Sequence, residues 1–120
     1  MKALVVLYGV TILALWAWGQ SQTISSGEAT NHIGESVTVC GKVISARYAE
    51  HSKGAPTFLD LDEAYPHEVF TVLIWGSTRQ KFGNPEVKYR DKTICVTAKI
   101  TEYRGLPEAV LTDPAQIHIR

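Results

Sequence analysis

The chain has no surplus of either charge: 12 Lys and Arg stand against 12 Asp and Glu. That balance excludes a polybasic protein that grips nucleic acid by bulk charge alone. Charged residues are 20% and hydrophobic residues 45% of the 120 positions, which excludes wholesale disorder and fits one domain of ordinary size. The four histidines, His32, His51, His67 and His118, are well separated and make no HExxH pair, so a zinc site is not expected. There is no GxSxG elbow, no papain-like cysteine context and no glycine-rich phosphate cradle. These absences argue against an enzyme and against a cofactor. Cysteine is scarce too: Cys40 and Cys95 allow one internal bridge at most.

What is present begins with an address. Lys2 precedes an apolar run from Ala3 to Trp18, interrupted by Gly9 and Thr11, after which the composition turns small and polar. A charged start, a short apolar centre and a small-residue exit describe a secretory signal peptide over residues 1–19. Cleavage is expected after Gly19, with a competing site after Ser21; the alternative is an uncleaved anchor. No Cys ends the run, so the usual lipid-attachment signal is absent. A cleaved signal leaves no stable membrane insertion, implies a secreted or periplasmic protein, and places both cysteines in an oxidising compartment. The mature chain then carries one more acid than base.

Residues 20–31 are small and polar and read as a flexible lead-in, or a short cap, to a domain over 32–120. Val37 to Tyr48 alternates, with Val37, Val39, Gly41 and Val43 on one side; the glycine marks a sharp bend. Thr57 to Asp62 is a second alternating strand, and Val69 to Trp75 a nearly all-apolar third. Gly76 to Lys92 is polar, with a short helix expected near Ser77 to Phe82 and a turn near Pro85 to Tyr89. A fourth strand spans Thr93 to Gly105 and a fifth Ala109 to Thr112. An all-β, five-stranded Greek-key barrel with a helix between strands three and four is the OB-fold order, with a small sandwich as the alternative. Val37, Val39, Val43, Leu61, Val72, Ile94, Val96 and Ile100 are its expected core.

The segments His32-Ile33-Gly34-Glu35, Gly41-Lys42-Val43, Thr57-Phe58-Leu59-Asp60-Leu61, Phe70-Thr71-Val72 with Ile74-Trp75-Gly76, Val96 to Ile100, Tyr103-Arg104-Gly105 and Asp113-Pro114 with Gln116-Ile117 carry a resemblance. In that order they resemble the OB-fold nucleic-acid-binding domains of the tRNA-anticodon-like group, especially the short exported bacterial type. Ala98 stands where that group often has glycine. The resemblance implies binding of single-stranded DNA or RNA across strands two and three, between two flanking loops. Rings would stack on bases and cations track phosphates. Lys42, Arg47, Tyr48, Lys53, Phe58, Phe70, Trp75, Arg79, Tyr103 and Arg104 are the candidate contacts, with His51 and Lys81 beside them. Phe70 and Trp75 also suit core or barrel-end packing. Strands one and four pair antiparallel in an OB barrel, which could bring Cys40 and Cys95 across from each other as a disulfide; a bridge needs their Cα atoms within about 7 Å, and two half-buried thiols are the alternative.

Charge argues for a different ligand. Asp60, Asp62, Glu63 and Glu68 crowd the strands of the implied binding face, and alternation turns Asp60 and Asp62 away from Leu59 and Leu61 toward solvent. Carboxylates there repel phosphate. They leave room for a protein or an envelope saccharide, which OB barrels also accept. As a calcium site the cluster lacks the loop with its turn glycine, and a solvated acidic turn is the simpler reading.

Overall fold

The computed structural model describes residues 22–120, so the signal peptide over 1–19 lies outside the described residues. Among the described residues there are eight strands: β1 Thr23–Ser25, β2 Ser36–Tyr48, β3 Thr57–Leu61, β4 Thr71–Ile74, β5 Thr93–Lys99, β6 Thr101–Tyr103, β7 Leu106–Val110 and β8 Ile117–Ile119. Two single-turn helices, α1 Gly76–Arg79 and α2 Pro85–Lys88, fall between β4 and β5, where a short helix and a turn were expected. The sheet runs β6-β7-β4-β3-β2-β5-β8, with β1 added in parallel to β2.

The expected count of five strands becomes eight for three reasons. The fourth strand divides at Ile100, whose N–H donates to the Glu35 carbonyl and whose carbonyl accepts from Gly34 N–H. Those bonds take Ile100 out of the ladder, so β5 pairs with β2 while β6 folds back on β7. Ile117 and Ile119 resume alternation as β8 on the edge of β5. The third addition is β1. Residues 22–31, expected as a flexible lead-in, are instead part of the fold: Ile24 and Ala29 are buried, and Ser26–His32 forms a 3₁₀ turn. Their polar composition concealed two apolar anchors. The ladder is also not a closed barrel. Its first strand, β6, and its penultimate one, β5, are consecutive in the chain but are not bonded to each other across Ile100.

All eight residues expected in the core are buried there. Gly41 lies in regular register with Ile94 of β5, at a close approach: a Cβ would meet the Asp62 carboxylate at 2.5 Å and the Leu61 Cβ at 3.2 Å. Just beyond, β2 shifts register between Val43 and Ser45. A bulge of this kind exchanges the two sides of a strand. Val37, Val39 and Val43 point inward before it, and Ala46 points inward after it. Ser45 and Arg47 are thereby placed on the outer face, opposite Asp60 and Phe58 of β3.

Cys40 and Cys95 are directly paired residues of β2 and β5, with Cα atoms 4.1 Å apart, and they form a disulfide. A bridge fits an oxidising compartment. Among the described residues, no helix is long and apolar enough to cross a membrane.

Candidate functional site

The outer face of β3, β4 and β7 forms the floor of a groove. Thr71 pairs with Asp60 on one side and Glu108 on the other, and Leu73 with Phe58 and Val110. Partners across a strand pair share a face, so this register lines up a polar row and an apolar row. Two segments stand over the floor, the loop of residues 49–56 and the β6–β7 hairpin.

The loop is held by Ala49 N–H to the Pro56 carbonyl and by Gly76 N–H to the Gly54 carbonyl. Gly54 has φ +79°, and a Cβ there would stand 2.9 Å from the Trp75 ring. The indole therefore rests on bare backbone and stays 42% exposed. The hairpin turns at Arg104 and Gly105, both in left-handed conformation, as a two-residue loop of this twist requires. It presents Tyr103, 57% exposed, beside its pair partner Leu106. Arg104 lies 5.2 Å from the Tyr103 ring centre.

Two adjoining pockets fill the groove. One, of about 220 Å³, takes in Arg47, Phe58, Tyr65, Glu68, Tyr103 and Glu108. The other, of about 330 Å³, lies against Lys53, Phe58, Leu73, Trp75, Tyr103 and Glu108. Phe58, Tyr103 and Glu108 belong to both. The Arg47 guanidinium is stacked between Phe58, at 4.5 Å, and Tyr65, at 4.2 Å. It also stands 3.8 Å from Asp60.

Of the ten sequence candidates, the structure brings six together: Arg47, Lys53, Phe58, Trp75, Tyr103 and Arg104. The other four lie elsewhere. Phe70 is fully buried in the core. Arg79 stacks on Tyr48 at 3.7 Å and donates to both oxygens of Glu86, so this trio braces α1 against the end of β2. Lys42 is exposed on β2 before the bulge and pairs with Thr93 of β5, not with β3. His51 and Lys81 are exposed and line neither pocket.

The acidic cluster is rearranged. Asp60, expected in solvent, is fully buried. Its carboxylate accepts from Ser45 Oγ at 2.7 Å and Thr71 Oγ1 at 2.9 Å. Burial holds its pKa above the ordinary aspartate value, against the pull of those bonds and of Arg47. Asp62 turns the other way at φ 67° and accepts from Lys42 N–H and Ser26 Oγ. Neither faces a ligand in the groove. The carboxylates that do are Glu68 and Glu108. Burial alone raises the Glu108 pKa, with no hydrogen bond or cation offsetting it. Glu68 has a buried Oε2 with no hydrogen-bond partner. Tyr65, Leu106 and Glu108 were not anticipated; alternation along Leu106, Glu108 and Val110 was the available signal for the last. Among the described residues, no group of His, Cys, Asp and Glu is arranged to hold a metal ion.

No protein-family model matches the chain, and no curated protein matches it. Solved structures do. A chain assigned as an aspartyl-tRNA synthetase from Leishmania major Friedlin superposes with TM-score 0.54 at 12% identity, over 85% of this chain and 21% of that one. The aspartyl-tRNA synthetase of Entamoeba histolytica gives TM-score 0.50 at 16% identity, over 88% and 22%. OBody AM1L10, solved bound to hen egg-white lysozyme, gives 0.57 at 18% identity, over 85% and 96%. The chain thus spans about a fifth of the synthetase chains and nearly all of the OBody. Likeness at this identity establishes OB-fold-like β structure and nothing of the ligand.

Proposed function

We propose that this is an exported, non-enzymatic, single-domain OB-fold protein whose groove binds single-stranded nucleic acid with broad sequence tolerance. The observation that carries the reading is the convergence of four rings, Phe58, Tyr65, Trp75 and Tyr103, on one groove between two loops. Every base has a π-face, so such a surface holds bases without regard to order. Lys53 on the loop and Arg104 on the hairpin are the cations that phosphates would pass. Export rests on the N-terminal segment and is supported by the disulfide.

A second reading, a protein or envelope-saccharide ligand, is favoured by Glu68 and Glu108, which set negative charge inside the groove. Fluorescence anisotropy of the chain from Gln20 onward, with labelled single-stranded DNA and RNA at two salt concentrations, separates the two. The nucleic-acid reading expects affinity to fall as salt rises. Trp75→Ala and Tyr103→Ala should each weaken binding roughly 5- to 100-fold, and Arg104→Ala should flatten the salt slope by about one. Absence of binding at low salt would retire it. Binding of another ligand that ignores salt and survives Arg104→Ala would establish the second.

A further inference from the structure

The two carboxylates in the groove have unusual surroundings for surface acids. Glu68 and Glu108 share the smaller pocket with Phe58, Tyr65 and Tyr103. Glu108 sits on β7 between Thr71 and Thr101, whose strands flank it on both sides. Glu68 leaves one oxygen buried without a partner. Two guanidinium groups line this pocket, and neither hydrogen-bonds either glutamate: Arg104 lies over Tyr103, and Arg47 stacks on Phe58 and Tyr65, 3.8 Å from Asp60, with its own Nε buried and unpartnered. A half-buried carboxylate without a donor is costly, and the cost is relieved by a ligand that brings N–H groups to it.

This constrains how a strand can lie. The carboxylates would repel phosphates from the floor, leaving Lys53 and Arg104 to hold them at the rim. Base edges then face inward. A cytosine or adenine turned inward offers an exocyclic amino group to the carboxylates, and carboxylates accept from cytosine N4 in the same way elsewhere. Thymine and uracil present carbonyl oxygens at the corresponding position, which leaves two acceptors facing each other.

Building on the nucleic-acid reading above, we propose that Glu68 and Glu108 are specificity residues that make the groove prefer amino-bearing bases, cytosine over thymine or uracil. The pocket of about 220 Å³ is below the range typical of drug-sized ligands, and suits a single base rather than a longer segment.

The test compares labelled oligo(dC) and oligo(dT) of equal length at neutral pH and low salt. Both are pyrimidines with the same backbone, so stacking and phosphate contacts are closely matched. Wild type should bind oligo(dC) roughly fivefold or more tightly. Glu108→Gln retains the shape and one acceptor but adds an amide donor suited to thymine O4. It should shrink or reverse the preference while oligo(dT) binding improves, and Glu68→Gln should act in the same direction. Equal binding of the two oligomers by wild type overturns the inference and leaves the stacking function standing. A preference unchanged in both variants also overturns it, because other groups then read the base. Failure of both oligomers to bind removes the inference together with the reading on which it rests.

Discussion

Replacing Cys40 and Cys95 together by alanine tests how the fold is secured, without touching the groove. The bridge spans a sequence separation of 55 and links residues already opposite in the β2–β5 ladder. A loop of that length loses roughly 14 cal/mol/K of unfolded-chain entropy on closure, or about 4 kcal/mol at 25 °C. The two sulfurs are themselves nearly buried, so truncation adds small voids to that loss. A domain of this size has on the order of 5–15 kcal/mol in total, so the loss is a large share. Urea unfolding followed by tryptophan fluorescence should show stability lower by about 3–5 kcal/mol. The m-value should rise, because an uncrosslinked unfolded chain exposes more surface. Neither cysteine lines the groove, so ligand affinity should hold where the variant is folded. A loss below about 1 kcal/mol with an unchanged m-value would refute the reasoning and mean that the β2–β5 ladder restrains the unfolded chain by itself.

Three other outcomes follow from the geometry. Gly54→Ala puts a Cβ against the Trp75 ring at a left-handed backbone position; it should displace the indole, shift its emission and weaken ligand binding, and unchanged emission would show that the loop yields instead. Arg79→Met should destabilise the fold by about 2 kcal/mol through loss of the Glu86 bonds and the Tyr48 stack, with binding unaffected; a selective loss of binding would return Tyr48 and Arg79 to the site. Glu108→Gln should raise the melting temperature in a pH-dependent way. Its carboxyl is held above the ordinary glutamate value, so the folded chain keeps a proton that the unfolded chain has already released. Stability is therefore lost as pH rises from the unfolded value through the folded one. The gain from Gln should be absent below about pH 4 and complete above the folded value, and a gain of the same size in acid would refute burial as its cause.

Much of the inner side of the fold is legible from alternation. The eight expected core residues share the parities of their strands, and burial followed. The outer side is less legible because one local event reverses it. The register shift between Val43 and Ser45 makes side chains after it face opposite to the parity established by Val37, Val39 and Val43. Nothing in the composition of residues 43–45 announces an extra residue in the ladder. That shift delivers Ser45 and Arg47 to Asp60 and turns an expected repulsive carboxylate into a buried, internally bonded one. Ile100 is a similar case. Its alternation is unbroken in sequence, yet bonds from residues 34–35, more than sixty positions earlier, decide where the strand divides.

The groove shows the same distinction between what neighbours in sequence decide and what distant partners decide. Trp75 and Tyr103 were accessible to sequence reasoning because Trp75 is a ring on the third strand and Tyr103 stands beside the fourth strand's closing turn with a cation next to it. Tyr48 and Arg79 have equally suitable chemistry, a ring beside a loop and a nearby cation. They are excluded because Glu86, from α2, claims the guanidinium and holds it on the ring. Glu68 and Glu108 reverse that case. As single glutamates on or beside strands they resemble ordinary solvated acids, and only the strand order β7-β4-β3 sets Glu108 on the floor. Arg47 stacks on two rings near Asp60, Arg104 lies over Tyr103 and Arg79 bonds Glu86, and none of the three hydrogen-bonds these two carboxylates. A ligand with N–H donors is then the partner that would satisfy them, which is why the choice of base, rather than the capacity to stack, is where this groove should differ from a bare aromatic platform.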